Sequence, residues 1–331
     1  MRIQPKKIMC AVDFSDFTDE SLSYGVALCK EFDSKLFLVN IVTDVNTSLE
    51  YSEIAIDKAM HQKEHISNAQ KNIGDLIQDV TIDHEIIISK GDPADEIGRL
   101  ALQENIDLVI TASHGKSGIK RLLIGSVTEK LMKSLHCPLL VLCNQEEYFK
   151  TLNDDEKTLK KVLVGCDFSP DSKLAFEYGL SLAQEFQAEL FLTHVIKPTE
   201  YIELKSTEYL NAIPGDYDLW RTKDYFEMQK KVTEENREKI NQLRIRLEKQ
   251  LYFMLPDDCK IWCTPHINLL DGEPYKELIK YAKEQEIDLI ILGIRGHTLW
   301  EKLMVGSTTD RVIRHAPCPV LAVRQMDEHS D

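Results

Sequence analysis

Short apolar runs alternate along this chain with longer stretches of helical spacing, and the alternation is written twice. Ile8–Val12 is a continuous apolar run of strand length, followed by Asp13-Phe14-Ser15 as an exit turn. Ser15 or Asp16 then caps a helix whose apolar positions include Leu22, Val26, Ala27 and Leu28. Lys35–Val42 predicts a second strand, and Met60, Ile66, Ile73 and Ile77 mark a helical stretch after it. Val80–Ile88 alternates and predicts a third strand. Gly91-Asp92-Pro93 opens a helix, with Pro93 suited to its first turn. Asp107–Thr111 predicts a fourth strand, Gly125-Ser126 another helix start, and Pro138–Leu142 a fifth strand.

The second half repeats the first. Ile8 to Ser15 matches Val162 to Ser169, and Leu36 to Ile41 matches Leu190 to Val195, both at an offset of 154. Farther on, Gly91-Asp92-Pro93 matches Gly272-Glu273-Pro274, and Ile106–Ile110 matches Ile287–Ile291, at an offset of 181. The difference of the two offsets is an insert of 27 residues in the second copy, within 198–260. Asn144 to Lys160 is polar, acid-rich and without periodicity, so it reads as a linker. The expected domains are 1–147 and 156–326. Strands alternating with helices predict a parallel sheet with right-handed crossovers. Strands apolar at every position fit a sheet covered on both faces. The fold class is therefore α/β, two tandem doubly wound domains, each a five-stranded parallel sheet with helices on both faces.

In such sheets ligands bind beyond the carboxyl ends of strands, where the winding reverses. Strand one ends in an acid in both copies, Asp13 and Asp167. Strand four of copy two runs into Gly293-Ile294-Arg295-Gly296, then nine residues, then Gly306-Ser307-Thr308. Such glycines let a phosphate approach main-chain amides, and a helix N-terminus is a ready anion site. Copy one reads Ala112-Ser113-His114-Gly115, nine residues, then Gly125-Ser126-Val127-Thr128, so its first glycine is replaced. The Ala112 methyl either crowds the backbone approach or is harmless. Together these groups would hold a nucleoside triphosphate, the acid taking ribose hydroxyls or the adenine amino group. The plainer reading of Asp13 and Asp167 is a helix cap or turn residue.

Composition narrows the alternatives. The 331 residues carry 55 acids against 40 bases, a net charge of −15, which repels nucleic acid and anionic lipid surfaces. An anionic nucleotide must then find local donors. No apolar run approaches bilayer-spanning length, and Ile8–Val12 is too short for a signal-peptide core, so a cytoplasmic location is expected. Cys259 and Cys263 are the nearest of eight cysteines, and no finger-like partner completes a metal site around them. Gly115-Lys116-Ser117 is not a P-loop ending, because Ile110 stands where its upstream glycine belongs. Lys116, Lys120 and Arg121, or Arg295 and Lys302, either steer phosphates or form a solvated face. His114 and His297 have no nucleophile or carboxylate placed beside them by spacing, and no catalytic or metal-ligating residue is assigned.

The pattern Gly-x2-Gly-x9-Gly-Ser/Thr after strand four, with the strand-one Asp, resembles the ATP-binding subgroup of the universal stress protein family. The likeness covers nearly the whole chain, twice. It departs at Ala112, at the copy-two insert, and at Asn40, where a His is common and His194 keeps it. The resemblance implies strand order 3-2-1-4-5 in each domain. It implies that Asp13 and Asp167 contact adenosine, with Ile41 and Val195 lining the pocket. It places Gly115, Gly125, Ser126, Val127 and Thr128 on phosphates in copy one, and Gly293, Gly296, Gly306, Ser307, Thr308 and Thr309 in copy two. The implied ligand is ATP, ADP or AMP, with Mg as an optional companion. Domains would pair edge to edge through Pro138–Leu142 and Pro319–Val323, and a homodimer stays open.

The expected function is nucleotide-dependent conformation or partner binding in stress response or signalling. The alternatives are a nucleotide-free scaffold and a slow ATP hydrolase. In the insert, Met228, Val232, Ile240, Leu243, Leu247 and Leu251 form one apolar stripe. That helix packs on its own domain or caps the nucleotide mouth, or else it binds a partner; Trp220, Tyr225 and Phe226 would form a lid or an interface.

Overall fold

The strands are apolar at successive positions because helices cover both faces of the sheet they build. The structure, a computed structural model, describes residues 3–15, 17–43, 66–78, 80–112, 124–142, 159–198, 200, 223–296 and 305–325. Asp16, Met60, His114, Gly115, Trp220 and His297 lie outside the described residues, as do Lys116, Lys120, Arg121 and Lys302. The first repeat contains β1 (Lys7–Ala11), α1 (Thr18–Phe32), β2 (Lys35–Val42), the described helical residues 66–76 (α2), β3 (His84–Lys90), α3 (Pro93–Gln103), β4 (Leu108–Ala112), α4 (Ser126–Ser134) and β5 (Leu139–Leu142). The second contains β6 (Lys161–Gly165), α5 (Pro170–Phe186), β7 (Glu189–Ile196), α6 (Lys223–Met254), β8 (Thr264–Asp271), α7 (Pro274–Glu284), β9 (Leu289–Gly293), α8 (Ser307–His315) and β10 (Val320–Val323).

Ten strands form one sheet in the order β3-β2-β1-β4-β5-β10-β9-β6-β7-β8. Each repeat therefore has the order 3-2-1-4-5 that the resemblance implied. Pairing is parallel within each repeat and antiparallel where the repeats meet, with Leu321 opposite Leu140. The two fifth strands shield each other's open edge. Side chains alternate across the sheet. Met9, Val109 and Val141 enter one apolar cluster with Leu100, Leu131 and Ile279 of the covering helices. Ile8, Cys10 and Leu140 enter the other, with Leu22 and Phe176. Among the described residues no helix is long and apolar enough to cross a membrane.

Two sequence expectations need correction. The third strand begins at His84 rather than Val80. Val80 is held in a turn, its amide donating to the Ile77 carbonyl, and β2 offers a partner only from Leu36, opposite His84. Alternation alone could not locate where the neighbour begins. Ser15 does not cap α1, whose N-cap is Phe17 with no side-chain hydrogen bond among the described residues. In copy two Ser169 does cap α5, accepting from the Ser172 amide.

The turns into α3 and α7 depend on Gly91 and Gly272, both at φ 145°, a region open to glycine alone. Asp92 then caps α3, accepting from the Ala94 and Asp95 amides. The Asp95 amide, the Lys130 ammonium and the Ala94 amide hold its carboxyl below the usual range. Asp92→Ala is expected to cost about 1 kcal/mol of stability. The sign of the pH effect follows from a depressed folded pKa: the contribution is complete above the ordinary carboxylate pKa and fades as acid protonates the cap. Urea melts at pH 7 and pH 3 check this; an undiminished difference at pH 3 would contradict it.

Candidate functional site

β1 and β4 are adjacent, while the chain leaves β1 toward β2 and β4 toward β5. The winding reverses between them, which opens a crevice at their carboxyl ends. In copy one that crevice is a cavity of about 590 Å³, within the usual size range of small-molecule sites. Asp13, Phe14 and Ser15 reach it from the β1 exit, Ile41 and Val42 from β2, and Asn68 and Asn72 from α2. Ala112 ends β4 beside it, and Gly125, Ser126, Val127 and Thr128 form its α4 wall. The structure thus brings together every described residue that the sequence proposed for copy one.

The local geometry gives these residues distinct jobs. Asp13 Oδ1 accepts from the Ser15 amide at 3.0 Å, and Asp167 Oδ1 does the same for Ser169. Each carboxylate closes a turn whose middle residue, Phe14 or Phe168, has positive φ. The turn reading of these acids is thus correct, and it leaves Asp13 at the cavity wall. The Thr128 hydroxyl donates to the Ala112 carbonyl at 2.9 Å, and Thr309 donates to Gly293 at 2.7 Å. Their hydroxyl protons tie a helix start to a strand end. Asn40 donates its amide to the Val12 carbonyl at 2.7 Å. His194 Nδ1 meets the Cys166 carbonyl at the same distance. Asn40 therefore replaces a histidine without losing the strand-to-strand tie.

Two polar atoms around the copy-one cavity were missed by sequence reasoning. Ser15 Oγ and Thr18 Oγ1 are buried without a hydrogen-bond partner among the described residues, and both residues line the cavity. Buried hydroxyls without partners are costly, so water or another group has to supply the bonds that the described residues do not. Gly125 is the N-cap of α4 and offers no side chain to the first amides, so that end of the helix is open to an acceptor. Asp13 is the only Asp, Glu, Lys, Arg or His among the described lining residues. An anion here meets amides and hydroxyls.

Copy two is arranged differently. Arg295, which follows the β9 end, donates its amide to Asp171 Oδ2 at 2.9 Å and its Nε to the same oxygen at 3.2 Å. Its Nη2 reaches Asp171 Oδ1 at 3.3 Å, and the Gln325 amide donates to that oxygen at 2.9 Å. Asp171 is 2% exposed, so the ion pair sits inside the protein. Ser169 Oγ donates to the Arg295 carbonyl and also caps Ser172, so the partners missing in copy one are present here. A methyl at Gly293 would stand 2.7 Å from the Asp171 carbonyl carbon. Gly293 is thus explained by the close approach of α5. In copy one Ala112 carries that methyl, so the first turn of α1 cannot sit as close. By the 154-residue offset α1 also starts two residues later than α5.

The Gly306 amide of copy two donates to the Ile294 carbonyl at 2.8 Å. Gly296 and Thr308 are half-buried near it, and Ser307 is exposed. Val195 is buried in the core. Leu243 and Leu247 of α6 pack with Ile196, Phe168 and Leu269, so the described part of the insert helix lies on its own repeat. Among the described residues no cluster of three or more His, Cys, Asp or Glu could hold a metal ion.

Comparison with known proteins places the chain. The family model described as Universal stress protein family matches residues 5–142 and again 158–324. The chain belongs to the universal stress protein family. Universal stress protein MJ0531 of Methanocaldococcus jannaschii is 26% identical over 175 residues, which cover 53% of this chain and 87% of that protein. Universal stress protein MJ0577 of the same organism is 28% identical over 168 residues, 50% of this chain and 95% of its own length. Each relative thus corresponds to about one of the two repeats. The crystal structure of a universal stress protein from Archaeoglobus fulgidus DSM 4304 superposes with a TM-score of 0.66 at 20% identity, covering 98% of this chain and all of that one. That likeness extends the shared fold across both universal stress repeats.

Proposed function

We propose that this universal stress protein binds an adenine nucleotide in copy one, and that occupancy shifts its conformation or partner binding in stress response or signalling. The observation that carries the reading is the copy-one cavity with its two buried hydroxyls that find no partner among the described residues. Asp13 and Ile41 would take the adenosine. The open end of α4, at Gly125, Ser126 and Val127, would take the phosphates, with Gly115 completing the loop. Asp13, the sole carboxylate among the described lining residues, favours binding over turnover, since phosphoryl transfer needs metal-holding acids and a water-positioning group. A cytoplasmic location belongs to the same reading.

Copy two, with Asp167, Val195, Gly293, Gly296, Gly306, Ser307, Thr308 and Thr309, is read as a second nucleotide domain held closed. A phosphate reaches its loop only when Arg295 leaves Asp171. Calorimetric titration of the full chain with ATP, ADP and AMP, with and without magnesium, tests both halves. The expected result is one site per chain. No saturable binding of any of the three would refute the reading, and two equal sites would refute the closed second copy.

A further inference from the structure

A second cavity, of about 350 Å³, opens at the opposite ends of the central strands, beside the starts of β4 and β9. Its walls come in pairs related by the internal repeat. Tyr24 and Tyr178, Leu28 and Leu182, and Phe32 and Phe186 face it from α1 and α5. Leu140 and Leu321, directly opposite each other in the β5–β10 pairing, also line it. The cavity therefore straddles the local two-fold relation between the repeats, so that one space is shared by two copies. The Phe32 and Phe186 rings meet edge to face at 6.0 Å, joining the two helix walls. The amide of Ile3, another lining residue, donates to Ser181 Oγ of α5 at 2.6 Å, tying the first repeat to the second across this space.

The charges around it select the occupant. Asp107 Oδ2 accepts from the Lys6 and Lys7 amides, and Asp288 Oδ2 accepts from the Lys160 and Lys161 amides. With Glu31, the described lining holds three acids against the single base Lys160. The acids outnumber the base, so the net field at the described lining repels an anion. Water gains little in an apolar-walled space, whereas an apolar guest gains the burial of its surface. Burial also pushes the Tyr178 hydroxyl up to about 12, so it stays a neutral donor.

We propose that this shared cavity binds one neutral, largely hydrocarbon small molecule per chain. The guest would bridge α1 and α5 and so couple the packing of the two repeats, independently of the nucleotide cavity. The test titrates the full chain with N-phenyl-1-naphthylamine, a neutral fluorophore. Saturable, blue-shifted emission at one site per chain is expected. The sulfonated analogue 8-anilinonaphthalene-1-sulfonate should bind at least about tenfold more weakly, because like charge opposes it. Ala27→Trp, which places an indole in the cavity, should abolish the signal while the circular-dichroism melt stays cooperative. Should that variant not fold, Ser23→Trp at the exposed rim gives the same readout. Absence of saturable binding, equal affinity for the two probes, or undiminished binding in a folded tryptophan variant would overturn the proposal.

Discussion

Gly125→Val is expected to weaken ATP binding by about 100-fold, roughly 2.7 kcal/mol, while leaving the fold intact. The two halves of that expectation have separate causes. Gly125 sits at φ −60° and ψ 143°, an extended conformation that any residue adopts, so valine introduces no backbone strain. What valine adds is bulk at the N-cap of α4, at the wall of the cavity. The first amides of α4 are useful to a phosphate only if its oxygens come within hydrogen-bond distance, and a branched side chain at the N-cap stands in that approach. Thr128→Val would be a poorer probe, because it also breaks the bond to the Ala112 carbonyl and so mixes stability with affinity. Calorimetry with a parallel thermal melt decides the matter. Unchanged affinity in a folded Gly125→Val protein would remove copy one as the site. Loss of binding in Gly306→Val instead would move it to copy two.

The alternation of strands and helices was legible because it depends on local pattern, while the strand order came from the family resemblance. Apolar runs of strand length, separated by helical spacing, leave few topologies once crossovers are right-handed. The repeat offsets then located the insert, and the resemblance supplied the joining edge. What stayed hidden depends on contacts between distant residues. Ala112 looked like a defect in a glycine loop. In the structure the matching Gly293 is required by the nearness of α5, and Ala112 ends β4 at the wall of the copy-one cavity. Arg295 read as a cation for phosphate or solvent, but its partner Asp171 lies 124 positions away and looks like any acid in a helix's first turn. Ser15 read as a cap, and only the start of α1 at Thr18 shows that its hydroxyl has no cap to make. The strand-one acids showed the opposite pattern: their turn chemistry and their place at the strand end were both visible in the sequence, and Asp13 does line the copy-one cavity.

Asp171→Ala is expected to destabilise the protein by about 3–5 kcal/mol, the largest effect of any single polar substitution proposed. Removing this carboxylate takes from the Arg295 side chain, 15% exposed, the buried counter-charge of Asp171. It also strands the Arg295 and Gln325 amides that the carboxylate accepts. Arg295→Ala should cost a similar amount, because the remaining carboxylate is 3% exposed and keeps only the amide bonds. The double replacement removes both charges, so its cost should fall well short of the sum, and urea denaturation of the four proteins measures that coupling. Additive costs would show that the pair does not act as a unit. The same double variant bears on function. If the guanidinium is what keeps copy two closed, as proposed, its removal opens the Gly293–Gly296 turn, while the copy-two helix start at Gly306 is uncapped by any side chain. Nucleotide stoichiometry should then rise from one toward two per chain. A value that stays at one in the folded double variant would mean that something other than the Arg295–Asp171 pair keeps copy two closed.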